Sequence, residues 1–121
     1  KLNSSITFHG FVNEVEHYLN ESDIFILPSH MEGLSISLLE AMSYGKACIV
    51  NDYGLPFTSD EVYTMRNNKP DTIAEAIRYF INNSNQIQSF GDHAKRRIKK
   101  DYSVESFSLK HIDLYDNLAN A

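Results

Sequence analysis

Two short apolar runs, Asp23-Ile-Phe-Ile-Leu-Pro28 and Ala47-Cys-Ile-Val50, constrain the fold most. Neither alternates with polar residues, so each reads as a strand covered on both faces, as in a parallel sheet. The span between them holds one loop and one short helix. Leu38, Leu39, Ala41 and Met42 give that helix its packing side, and Gly45 stands where a left-handed cap ends it. A strand–loop–helix–strand unit places its loop at the carboxyl end of the first strand, where α/β sheets bind ligands.

The flanking segments continue the pattern. Ile6-Thr-Phe-His9 alternates and carries β-formers, so it is expected to be a strand ended by Gly10. Asn13 is placed to cap a helix over 14–20. Residues 51–60 hold Gly54, Pro56, Ser59 and Asp60 and read as a loop, followed by a short strand over 62–65. Helices are expected over 72–82, 86–100 and 104–118, with breaks at 82–85 and 101–103. Strands alternating with helices predict an α/β, doubly wound parallel sheet.

Composition removes several function classes. The 121 residues suffice for one domain, and 42% of them are hydrophobic, enough for a core. Sixteen acidic and 11 basic residues leave a net charge of −5, which argues against nucleic acid as a partner. The single cysteine, Cys48, excludes an internal disulfide; in an apolar strand it reads as a buried, inert thiol suited to a reducing, cytoplasmic compartment. No apolar run approaches the ~20 residues of a membrane span, and no signal-peptide pattern opens the chain. The chain starts at Lys1 and enters its first strand almost at once, so it is expected to be part of a longer protein.

Glu32 and Glu40 have seven residues between them. On one continuous helix, side chains eight positions apart diverge by about 80°. A shared site therefore needs Glu32 in the loop beside Gly33 and only Glu40 on the helix. The competing reading is local: Ser37-Leu-Leu-Glu40 fits a capping box, with Glu32 a solvated loop acid. The main-chain N–H groups from Gly33 to Ser37 suit a phosphate. Two nearby acids would repel a bare phosphate, so a sugar phosphate, whose hydroxyls donate to carboxylates, fits better. His30, two residues before Glu32, is a candidate ligand contact. The five histidines show no metal-ligand spacing, and no nucleophile or phosphate-loop motif is present. The basic run from Lys95 to Lys100 lies opposite an apolar stripe and reads as a solvated helix face rather than a membrane contact.

The stretch Phe25-Ile-Leu-Pro-Ser-His-Met-Glu-Gly-Leu-Ser-Ile-Ser-Leu-Leu-Glu-Ala-Met-Ser-Tyr-Gly-Lys-Ala-Cys-Ile-Val50 resembles the C-terminal, nucleotide-binding half of retaining GT-B glycosyltransferases of the group 1 family. That family shows the same E-x7-E pattern between a strand ending in Pro-Ser and an alanine-containing helix ending at glycine. Residues 6–12, 51–56, 71–77 and 101–103 continue the likeness.

The resemblance implies a Rossmann-like donor-binding domain over residues 1–121, lacking the family's first strands and its acceptor domain. It implies retaining transfer of a hexose from a UDP-, GDP- or ADP-sugar to a glycan or lipid, without a metal ion. By position, Glu40 would take the ribose hydroxyls and Glu32, the implied catalytic residue, the donor sugar. Gly33, Leu34 and Ser35 would offer N–H groups to sugar and diphosphate, and Gly10, Phe11 and Val12 would lie beside the base. Ser35 departs from the family's usual glycine.

The full enzyme would then sit in the cytoplasm, with peripheral contact at the inner membrane face. The isolated chain would be inactive. In the family's strand order, 3-2-1-4-5-6, residues 6–9 would be the third strand. Two missing strands would separate them from 24–27, whose apolar edge would be open to a homodimer or to an absent segment. A non-catalytic nucleotide-binding or assembly module is the alternative.

Overall fold

The computed structural model describes residues 5–121. In chain order the elements are α1 (Val15–Glu21), β1 (Ile24–Leu27), α2 (Ile36–Ser43), β2 (Ala47–Asn51), β3 (Tyr63–Met65), α3 (Pro70–Asn82), α4 (Ser84–Asp101) and α5 (Val104–Ala119). The strands form one sheet of order β1-β2-β3, and both pairings are parallel. Ile24 lies opposite Ala47 and Leu27 opposite Val50, while Ile49 lies opposite Tyr63.

All of β2 is buried, and its alternation divides the core. Cys48 and Val50 face a cluster with Leu19 of α1, Leu38, Ala41 and Met42 of α2, and Ala94 of α4. Ala47 and Ile49 face the other side, against Met65, Ala76, Phe80 and Phe90. The apolar run thus became a strand with helices on both faces. On the second face Phe80 and Phe90 meet edge-on, with ring centroids 5.2 Å apart. Burial pushes the Cys48 thiol up to about 12, so it stays protonated and inert.

Residues 6–9, expected as a strand, form none. They join no sheet, and Phe8 is 93% exposed. β-formers favour a strand only where a pleated, half-buried surface awaits them, and among the described residues no strand lies beside these. His9 instead packs on Tyr18 of α1, with its Nδ1 3.1 Å from the phenol oxygen. The outer edge of β1 carries no partner strand among the described residues, and its four residues are half-buried.

The end of α2 follows its sequence. Gly45 adopts φ +70°; its N–H reaches the carbonyl of Met42 at 2.9 Å, and the N–H of Lys46 reaches that of Ala41 at 3.1 Å. These two bonds close a Schellman motif. A Cβ at Gly45 would meet nothing closer than 3.6 Å, so the main constraint there is its left-handed backbone. Gly45→Val should therefore lower stability by about 1–2 kcal/mol. Thermal unfolding checks this, and an unchanged Tm would contradict the motif's contribution.

The basic run is not uniformly solvated. Arg97 donates to the carbonyl of Pro56 at 2.9 Å and pairs with Asp101 at 3.1 Å, which ties the β2–β3 loop to α4. Lys95, Arg96, Lys99 and Lys100 remain exposed.

Candidate functional site

The β1–α2 loop leaves the carboxyl end of β1 and turns back into α2, as a parallel unit requires. It carries Glu32, while Glu40 stands exposed on α2. The two acids thus sit as a shared site demands, one in the loop and one on the helix. The capping box that the competing reading put at Ser37 is absent. The N-cap is Ser35, which is extended (φ −70°, ψ 122°) and accepts from the Leu38 N–H at 3.5 Å. Ser37 lies inside the first turn, and its hydroxyl is 2.9 Å from that of Ser35. Glu40 is therefore no partner in a cap.

Ser35 is buried, with Gly33 and Leu34 exposed beside it. Gly33 has no left-handed φ, and a Cβ there would meet nothing within 4 Å. Neither the turn nor packing requires its bareness. The amides of Ile36 and Ser37 open α2, where helix geometry provides no carbonyl four residues back and the dipole favours an anion.

Glu32 is half-buried, and the Ser29 hydroxyl donates to its Oε1 at 2.6 Å. That bond first, and the Ser35 hydroxyl second, hold its pKa below the ordinary carboxylate value against a smaller opposing effect of burial. A lowered folded pKa means a stabilising contribution present above the ordinary glutamate pKa and lost as the pH falls below it.

Behind this loop lies the end of β2. Asn51 is 6% exposed and donates its Nδ2 to the carbonyl of Ser29 at 2.8 Å; its Oδ1 is buried without a partner among the described residues. Asn68 donates to the neighbouring Pro28 carbonyl at 3.0 Å. Burial first, and the charge of Glu32 second, push the Tyr53 hydroxyl's pKa up.

His30 is exposed in the same loop. On the far side of α2, Tyr44 donates to Glu16 of α1 at 3.0 Å, and Glu16 and Glu40 both raise its pKa after that bond and burial. Gly10 and Phe11 are exposed, while Val12 lines a shallow recess of about 330 Å³ with Asn13, Glu14, His17 and Tyr18. The structure gathers Glu32, Gly33, Leu34, Ser35 and His30 in one loop. Gly10, Phe11 and Val12 lie on the segment leading into α1.

Sequence reading missed Ser29, Asn51 and Tyr53 as members of this region. The available signal was position, since all three lie at, or within two residues of, the carboxyl end of an apolar strand.

Comparison with known proteins agrees with this architecture. A family model described as glycosyl transferases group 1 matches residues 1–97. An uncharacterized glycosyltransferase of Methanocaldococcus jannaschii is 31% identical over 98% of this chain, which spans 32% of that relative's length. A UDP-Gal:alpha-D-GlcNAc-diphosphoundecaprenol alpha-1,3-galactosyltransferase of Escherichia coli is 44% identical over 36% of the chain, a match covering 11% of that protein. Sucrose-phosphate synthase from Thermosynechococcus elongatus superposes with a TM-score of 0.85 at 22% identity, over 98% of this chain and 31% of that one. The last likeness concerns the fold, which is the Rossmann-like α/β arrangement of GT-B domains.

Proposed function

Because the chain belongs to the glycosyl transferases group 1 family, we propose that it forms the nucleotide-sugar-binding part of a retaining hexosyltransferase. The observation that carries this reading is the pair of acids flanking the first turn of α2, Glu32 in the loop and Glu40 on the helix. The anionic diphosphate lies at the helix N-terminus, where main-chain N–H groups and the dipole offset its charge without a metal ion. Glu40 accepts from the ribose hydroxyls and Glu32 from the donor sugar, while Gly33, Leu34 and Ser35 offer N–H groups. The side-chain-free surface at Gly33 leaves room for the sugar's approach. His30 borders the sugar, and Gly10, Phe11 and Val12 border the base. A glycan or lipid acceptor comes from a separate domain of a longer enzyme, which meets the inner membrane face peripherally.

NMR titration of the chain with UDP-, GDP- and ADP-sugars tests the reading. One of them should shift the amides of residues 33–37 and the carboxylates of Glu32 and Glu40. Affinity should be weak, because no second domain closes over the donor to exclude water. No shift at these residues with any of the three would overturn the proposal. Binding of the nucleotide sugar without any transfer by the full protein carrying this chain would favour a non-catalytic nucleotide-binding module.

A further inference from the structure

We propose that Ser29 and Asn51 are positioning residues that set the Glu32 carboxylate for the donor sugar, a proposal that rests on the donor-binding reading above. Two hydrogen bonds meet at Ser29, one on its main-chain carbonyl and one from its hydroxyl. Asn51, at the end of the fully buried strand β2, donates Nδ2 to the Ser29 carbonyl at 2.8 Å. The Ser29 hydroxyl donates to Glu32 Oε1 at 2.6 Å. Glu32 is thereby tied, through Ser29, to the most deeply buried strand of the sheet. A half-buried carboxylate in a loop would otherwise sample several rotamers, and a productive contact with a sugar hydroxyl demands one.

Asn51 itself points to this role. The four β2 residues before it, Ala47 to Val50, are apolar and fully buried. Asn51 continues them with an amide whose Oδ1 is buried and unpaired. An amide oxygen buried without a partner among the described residues costs stability, so packing alone does not favour asparagine at the end of this strand. What the amide supplies is its bond to Ser29. The Tyr53 hydroxyl also lies buried without a partner among the described residues, and after burial the charge of Glu32 helps to push its pKa up.

The test reads the carboxylate directly, by carbon-detected NMR titration of Glu32 without ligand, alongside transfer kinetics of the full enzyme carrying this chain. Ser29→Ala should raise the Glu32 midpoint towards the ordinary glutamate value, and Ser29→Thr, which keeps the hydroxyl, should restore it. Asn51→Leu, which deprives the Ser29 carbonyl of its donor, should also raise the Glu32 midpoint, whatever it does to the Tm. A merely structural asparagine would leave the Glu32 midpoint in place. In transfer assays Ser29→Ala and Asn51→Leu should each lower kcat about tenfold, with KM for the nucleotide sugar within about twofold and free-nucleotide affinity unchanged.

An unmoved Glu32 midpoint in Ser29→Ala overturns the proposal. So does a raised midpoint with unaltered kcat, because the bonds would then serve only the loop. Failure of the donor reading is seen separately, in the unsubstituted protein, as an absence of any nucleotide-sugar effect on Glu32.

Discussion

Replacing Gly91 with alanine is expected to destabilise the protein by about 3 kcal/mol. Gly91 is buried within α4, where that helix crosses the turn after α2. A Cβ there would lie 2.1 Å from the Gly45 carbonyl oxygen and 2.9 Å from its carbon. Both are backbone atoms, so no flexible side-chain tip can yield; the helix or the turn must shift. The sign opposes helix propensity, which favours alanine over glycine by about 1 kcal/mol. Thermal unfolding should show a fall in Tm on the order of 10–20 °C. An unchanged or raised Tm would mean that the two backbones do not touch. The contrast with Gly45→Val is informative, since there the cost is conformational and here it is steric.

Glu40→Gln and Glu32→Gln should separate two roles. A hydrogen bond to a charged group contributes roughly 1.5–3 kcal/mol, or about a tenfold to 150-fold change in an equilibrium or rate. Glu40→Gln should weaken free nucleotide and nucleotide sugar by similar factors in that range, because ribose is common to both. Glu32→Gln should leave free-nucleotide affinity within about twofold and lower transfer by a factor in the same range. Calorimetry with the nucleotide and its sugar, beside transfer assays of the full enzyme, checks both. Equal loss of free-nucleotide affinity in the two variants would contradict the assignment.

Residues whose burial is decided locally were legible in the sequence. The runs at 24–27 and 47–50 became β1 and β2, and the left-handed cap stands at Gly45. The breaks near 83 and 102 are where α3, α4 and α5 meet. Residues 6–9 failed as a strand because a strand needs a neighbour, and alternation says nothing about whether one is there. The N-cap fell two residues before the Ser37 of the competing reading, because the backbone turns helical at Ile36 and Ser35 is the last extended residue. α4 starts at Ser84, earlier than expected, since Asn83 alone serves as the junction with α3. In the candidate site, the placement of Glu32 in a loop and Glu40 on a helix was legible. The groups behind Glu32 were not, because Ser29 and Asn51 are 22 residues apart and meet only through the pairing of β1 with β2.

The contrast between β2 and α5 governs how the molecule opens. Every residue of β2 is buried, whereas α5 buries none, and Phe107, Leu114 and Leu118 stand in solvent. Lys110 reaching back to the Asp101 carbonyl at 3.1 Å is the bond that joins its middle to the end of α4. Little apolar surface must be exposed to detach α5, so it can fray while the sheet stays closed. Amide protons of α5 then exchange through local opening, and those of β2 only through global unfolding. One chain carries two opening free energies, and the peptide bonds of α5 are the ones a protease reaches without waiting for the core.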